Sequence, residues 1–132
     1  MRRVLLLLAA LVGVTALLTG CSGSSSSVST VGAQEFVTSA AEPGTVVVDV
    51  RTPAEFAAGH VDGAVNINVE SPDFATQIAA LPKDTTYAVY CRTGRRSALA
   101  TDQMAEAGFT SVVNLQGGLA DLQAAGAPVV TG

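Results

Sequence analysis

The chain has 132 residues, 48% of them hydrophobic and 14% charged, with a formal net charge of −4, one histidine and two cysteines. That length supports one hydrophobic core and excludes a second domain. The acidic balance excludes a nucleic-acid surface, which needs a broad basic face.

Met1-Arg2-Arg3 followed by the apolar run Val4 to Leu18 has the form of a signal peptide, and the run is too short for a comfortable membrane span. It ends in Leu18-Thr19-Gly20-Cys21, which resembles the lipobox of bacterial lipoproteins: small residues before a cysteine that is lipidated and becomes the new N-terminus. Residues 1–20 are therefore expected to be removed and Cys21 to carry lipid, with an ordinary secretory signal as the alternative. Residues 21–31, Ser-rich from Ser22 to Thr30, read as a flexible tether, and residues 32–132 as the folded domain. The expected location is the extracytoplasmic face of a bacterial membrane.

Cleavage before Cys21 removes 20 of the 132 residues and leaves 112, with five Lys/Arg against eleven Asp/Glu, a net charge of −6. Three of those five cations, Arg92, Arg95 and Arg96, lie beside Cys91; only Arg51 and Lys83 are elsewhere. An acidic domain that gathers its cations into one loop has built a local anion site. With Cys21 lipidated, Cys91 has no partner in the chain and is a free thiol in a compartment that favours disulfides.

From Gly32 onward, short apolar runs alternate with helical patterns. Phe36, Val37, Ala40 and Ala41 share a helical face that stops at Pro43-Gly44, and Thr45 to Val50 is a continuous run of the kind covered on both faces of a sheet. Thr52-Pro53-Ala54-Glu55 has the form of a capping box with proline at the first helical position, predicting a short helix to about Ala58. Ala64 to Asn68 is a short strand candidate. Ser71-Pro72 opens a helix with Phe74, Ile78 and Leu81 on one face, ended by Pro82. Tyr87 to Tyr90 is the next strand, and the helix beyond the cysteine puts Ala100, Met104 and Ala107 on one face and stops at Gly108. Ser111 to Leu115 is the last clear strand, and Gly117-Gly118 leads into a helix near Leu119 to Ala125. This alternation predicts an α/β fold of about five mainly parallel strands with helices on both faces. Ligands of such sheets bind beyond the carboxyl ends of the strands, where Cys91 and Asp49-Val50-Arg51 both fall.

The segment Cys91-Arg92-Thr93-Gly94-Arg95-Arg96-Ser97 places a thiol between a strand and a helix start, whose free N–H groups and positive dipole end favour an anion. These groups and the nearby guanidiniums lower a thiol pKa, so Cys91 reads as a nucleophile. Gly94 lets backbone N–H groups converge where a Cβ would hinder them.

Asp49-Val50-Arg51, Glu55-Phe56, Gly59 to Ile67, Cys91 to Ser97 and Leu115-Gln116-Gly117-Gly118, in this order, resemble a single-domain rhodanese over about residues 32 to 130. Asn68 stands where a proline is frequent and Leu122 where a tryptophan often follows the double glycine; both read as packing positions. The resemblance implies the rhodanese-like fold and a sulfurtransferase that needs no cofactor or metal. In it Cys91 takes the sulfane sulfur of a thiosulfate-like donor as a persulfide and hands it to a thiol or cyanide-like acceptor. A loop of N–H donors and arginines suits the donor dianion, the sulfite leaving group and the anionic persulfide alike. The alternative within the family is a non-catalytic persulfide carrier or sulfur-binding module. A cysteine phosphatase or arsenate reductase is a remoter one, because such enzymes hold five residues between Cys and Arg, whereas four separate Cys91 from Arg96.

Around the nucleophile, Arg92, Thr93, Gly94, Arg95, Arg96 and Ser97 are the candidate substrate-binding loop, and Arg51 a second anion contact at the crevice mouth. Arg92 and Arg95 point to solvent or shape substrate choice, while Arg96 has the alternative of bracing the loop against a carboxylate. Asp49 is a structural acceptor for the loop or an ion-pair partner of Arg51 or Arg96. Glu55 is explained by its capping-box position, and His60, in a Gly-His-Val-Asp-Gly turn, by a structural hydrogen bond, since an activated thiolate needs no base.

Overall fold

The structure, a computed structural model, describes residues 26–132. The signal peptide, Cys21 and the first part of the tether lie outside the described residues.

Five strands form one wholly parallel sheet: β1 (Val28–Val31), β2 (Val46–Asp49), β4 (Val65–Asn66), β5 (Tyr87–Tyr90) and β6 (Val112–Leu115), in the order β1-β6-β5-β2-β4. The strand carrying the cysteine is the centre of that order, so its carboxyl end is walled by its neighbours. A separate antiparallel ribbon pairs β3 (His60–Val61) with β7 (Val129–Val130). Neither ribbon strand was legible as a strand, since each is two residues long and carries no alternating pattern.

Residues 28–31 overturn part of the tether reading. Val28-Ser29-Thr30-Val31 forms β1 and pairs in parallel register with β6, Val28 opposite Val112 and Val31 opposite Leu115. Three of its four residues are β-branched and both valines turn inward, so the strand is favoured locally. Its serine-rich neighbours mask it in composition. The folded domain therefore includes residues before 32.

Residues of β5 divide the core by period-two alternation. Tyr87, Val89 and Cys91 face one helical layer, α3 (Phe74–Ala79) and α4 (Arg95–Glu106), where Phe74, Ile78, Ala100 and Met104 complete the packing. Ala88 and Tyr90 face the other, α1 (Ala33–Ala40) and α5 (Leu119–Ala124), against Phe36, Leu115 and Leu122. Leu122 is fully buried, in keeping with a packing role, whereas half-buried Asn68 does something else: its Oδ1 accepts the Glu70 N–H at 3.0 Å and shapes the turn that precedes α3. That helix starts at Phe74 and not at Ser71-Pro72, because residues 71–73 remain a turn in which Ser71 Oγ accepts the Asp73 N–H.

The remaining helix, α2 (Pro53–Ala58), opens with the predicted reciprocal cap. Thr52 Oγ1 accepts the Glu55 N–H at 3.3 Å, and Glu55 Oε2 accepts the Thr52 N–H at 3.1 Å. This short helix follows β2 and so sits at the carboxyl edge of the sheet, next to the cysteine loop.

Candidate active site at the end of the central strand

Parallel pairing of β2 with β5 sets Asp49 opposite Tyr90, the residue before Cys91, so the two motifs meet at one edge. Beneath them lies a buried polar network. The Asp49 carboxylate, 0% exposed, receives Arg51 Nε at 2.9 and 3.0 Å, Arg51 Nη2, the Arg51 backbone N–H at 2.9 Å and the Tyr90 hydroxyl at 2.7 Å. Arg51 Nη2 also donates to the Gly59 carbonyl at 2.6 Å, and Tyr90 Oη accepts the Val61 N–H at 3.0 Å. Burial works against the Arg51 charge, but the Asp49 carboxylate outweighs it and raises the guanidinium further. Burial is also the main reason that the Tyr90 hydroxyl is pushed up and stays protonated as a donor.

This geometry settles Asp49 as the partner of Arg51, not of Arg96, and recasts Arg51. It lines the cleft beside Arg92 but is only 5% exposed, with Nε and Nη2 both engaged. It braces the floor of the crevice instead of waiting at the mouth as a free anion contact. Tyr90 was not singled out in the sequence; a tyrosine inside a buried strand, whose hydroxyl must find partners, was the available signal.

Above this floor, the chain leaves β5 at Cys91 and turns through Gly94, whose φ of +99° lies in the left-handed region. The turn brings the Gly94 N–H onto Cys91 Sγ at 3.0 Å. Burial of Cys91, which is 0% exposed, would push the thiol up; the Ser97 hydroxyl and the backbone N–H groups of Ser97, Thr93 and Gly94 outweigh it and bring the thiol below its ordinary value. The Ser97 hydroxyl has one proton and two acceptors in reach, the sulfur and the Gly94 carbonyl at 3.1 Å. A merely structural buried cysteine has no use for such a ring of donors, which is complementary to a sulfur anion.

Of the three loop arginines only Arg96 is committed. Its Nη1 and Nη2 reach Glu55 Oε2 and Oε1 at 2.7 and 2.9 Å, with Glu70 Oε2 at 3.4 Å. Arg96 therefore takes the bracing role and its guanidinium is not a free substrate contact. Glu55 holds more than its cap: the same carboxylate ties α2 to the cysteine loop, and chiefly because of Arg96 its pKa falls to about 2. Arg92 and Arg95 are exposed and make no ion pair or hydrogen bond among the described residues. They stand on opposite sides of exposed Thr93, Arg92 in the cleft toward α5 and Arg95 in the cleft toward α4.

A double glycine closes the loop from behind. The Leu119 N–H donates to the Cys91 carbonyl at 3.2 Å, and a Cβ built on Gly118 would lie 1.6 Å from the Arg92 carbonyl oxygen. His60 sits apart from the sulfur's donors, buried with Nδ1 2.8 Å from the Phe56 carbonyl and its ring stacked on Phe56 at 3.6 Å.

Residues 32–125 match the family model described as Rhodanese-like domain. The chain is 39% identical over 75 residues to thiosulfate sulfurtransferase PspE of Escherichia coli, covering 57% of this chain and 71% of that protein. It is 42% identical over 73 residues to the probable adenylyltransferase/sulfurtransferase MoeZ of Mycobacterium tuberculosis, covering 55% of this chain but 19% of that relative, so it spans about a fifth of the longer protein. Among solved structures, a rhodanese-related protein from Thermoplasma volcanium superposes with a TM-score of 0.68 at 28% identity, covering 78% of this chain and 98% of the other. A structure described as rhodanese with anions from E. coli gives 0.55 at 38% identity, covering 67% and 99%.

Proposed function

The chain belongs to the rhodanese-like family, and from that premise we propose that it is a sulfurtransferase working through a persulfide on Cys91. In the first half-reaction the Cys91 thiolate attacks the sulfane sulfur of a thiosulfate-like dianion. The new S–S bond forms as the old one breaks, sulfite leaves with the electron pair, and Cys91 carries one extra, anionic sulfur. In the second, a thiol or cyanide takes that sulfur and Cys91 returns as thiolate. The Ser97 hydroxyl and the N–H groups of Thr93, Gly94 and Ser97 hold the sulfur anion, while exposed Arg92 and Arg95 attract the donor.

One observation carries this reading: a fully buried thiol whose sulfur accepts the Gly94 N–H at 3.0 Å within a loop of four residues between Cys91 and Arg96. To test it, the soluble domain is incubated with thiosulfate and its intact mass followed for a gain of one sulfur. Cyanide is then added and thiocyanate measured, with Cys91→Ser as the control. Gain and turnover are expected for the wild type and neither for the variant. No gain from thiosulfate or any persulfide donor sinks the proposal, and gain without turnover assigns a carrier instead.

The location remains part of the proposal. The apolar run Val4 to Leu18 and Leu18-Thr19-Gly20-Cys21 support export and lipidation at Cys21. Fatty-acid labelling of the full chain that is lost in Cys21→Ser is the expected result, and label that persists in the variant defeats it.

A further inference from the structure

The second half-reaction needs an acceptor, and the two sides of the loop differ in what they offer one. Toward α5 the groove holds Arg92 and the buried Arg51, and its one acid, Glu55, has both carboxylate oxygens engaged by Arg96. Toward α4, a cleft of ≈ 450 Å³, the size of a small-molecule site, is lined by Val69, Glu70, Thr93, Arg95, Leu99 and Gln103, together with the Arg96 already paired to Glu55. This cleft carries an unpartnered cation and a largely free anion facing one space. Arg95 makes no ion pair among the described residues, and Glu70 is 56% exposed with only the 3.4 Å contact to Arg96. Leu99, 54% exposed, and half-buried Val69 supply apolar surface between the charges. Arg95, Leu99 and Gln103 recur every fourth residue of α4, so they form one wall. Thr93 ties this wall to the chemistry, because the same residue lines the cleft and directly precedes Gly94, whose N–H reaches Cys91 Sγ at 3.0 Å.

We propose that this cleft is the acceptor subsite and that it selects a small zwitterionic amino-acid thiol, the carboxylate on Arg95, the ammonium on Glu70 and the methylenes against Leu99 and Val69. The assignment rests on the sulfurtransferase reading and names the substrate class of its second half. The acceptor thiol gives its proton to the anionic outer sulfur of the Cys91 persulfide and, as thiolate, attacks that same sulfur. A new S–S bond forms as the inner one breaks, Cys91 leaves as thiolate, and the acceptor departs as its own persulfide. No external oxidant or reductant enters.

Four probes separate the charges: cysteine carries both, mercaptopropionate only the carboxylate, cysteamine only the ammonium and mercaptoethanol neither. The domain is loaded with thiosulfate, freed of excess donor, and the loss of its extra sulfur is timed by intact mass against each thiol. The ratio of variant to wild type for each thiol cancels that thiol's intrinsic nucleophilicity. Arg95→Gln is expected to slow cysteine and mercaptopropionate about threefold relative to the other two, the size of an exposed ion pair. Glu70→Gln is expected to slow cysteine and cysteamine likewise. Equal effects on all four thiols, or none, overturn the assignment. A wild type that never gains sulfur instead overturns the sulfurtransferase reading beneath it.

Discussion

Gly118 offers the sharpest quantitative test of how the loop is held. Its φ of −144° and ψ of −171° are ordinary extended values, open to any residue, so alanine there carries no backbone penalty. What it meets is the loop: its Cβ would lie 1.6 Å from the Arg92 oxygen, 2.3 Å from the Arg92 carbonyl carbon and 3.0 Å from the Thr93 nitrogen, where ordinary contact begins at 3.4 Å. The obstacle is backbone and cannot swing aside as a side chain does, so the loop and the double-glycine turn must separate by nearly 2 Å. The adjacent bond from Leu119 N–H to the Cys91 carbonyl, already 3.2 Å, is the first casualty. Overpacking of this kind costs about 3 kcal/mol, the upper end for one added methyl. For a domain of this size that lowers Tm by about 12 °C. Because the displaced segment carries the Gly94 N–H that reaches the sulfur at 3.0 Å, Gly118→Ala should also raise the pH at which Cys91 becomes reactive toward iodoacetamide. Gly44→Ala is the control. It has a φ of +86° and nothing within 4 Å, so it loses only the left-handed preference, about 1 kcal/mol or about 4 °C, with alkylation unchanged. A Gly118→Ala melting point no lower than that of Gly44→Ala, with an unaltered alkylation profile, would refute the idea that close glycine approach sets the cradle.

Three further outcomes follow from the same geometry. Ser97→Ala removes the hydroxyl that can turn from the Gly94 carbonyl to the sulfur anion and should slow alkylation of Cys91 near neutral pH by about tenfold, the worth of one hydrogen bond to a charged group, without disturbing the far-UV spectrum. Asp49→Asn leaves the Arg51 guanidinium buried without its counter-charge and should cost about 3–5 kcal/mol in urea unfolding, far more than an exposed pair. Glu55→Gln weakens the tie between α2 and Arg96 by about 1 kcal/mol. Since the folded carboxyl titrates at about 2, below its ordinary 4.5, that stability is complete above the ordinary value and is lost as pH falls through about 2. The difference between wild type and variant should therefore shrink as unfolding is measured from neutral pH down to about pH 3.

Local chemistry made much of the site legible. The Thr52-to-Glu55 cap, the strand before Cys91 and the glycine at 94 each state a local requirement of the backbone, and each appears as such in the structure. Helix and strand order followed from periodicity, because an apolar face has to be buried whatever its eventual partner. Reading failed where the signal was either too short or set by composition. The strand Val28–Val31 hides behind serines, and the ribbon of β3 and β7 exists only because two distant dipeptides meet.

The roles of the charged residues divide in the same way. A cluster of three arginines around one thiol announced an anion site from the sequence alone, since charge near a nucleophile acts through space wherever the side chains point. Which arginine is free and which is bound was beyond its reach. Arg96 meets Glu55 across 41 positions and Tyr90 meets Asp49 across another 41, contacts that depend on β2 lying beside β5. Sequence thus determined that Cys91 sits in a cationic loop of the kind that activates a thiol, because such activation rests on neighbours within a few residues. Tertiary packing decided that Arg51 and Arg96 are held by carboxylates while Arg92 and Arg95 stay exposed and unpaired among the described residues, because an arginine's task depends on which carboxylate the fold carries within reach.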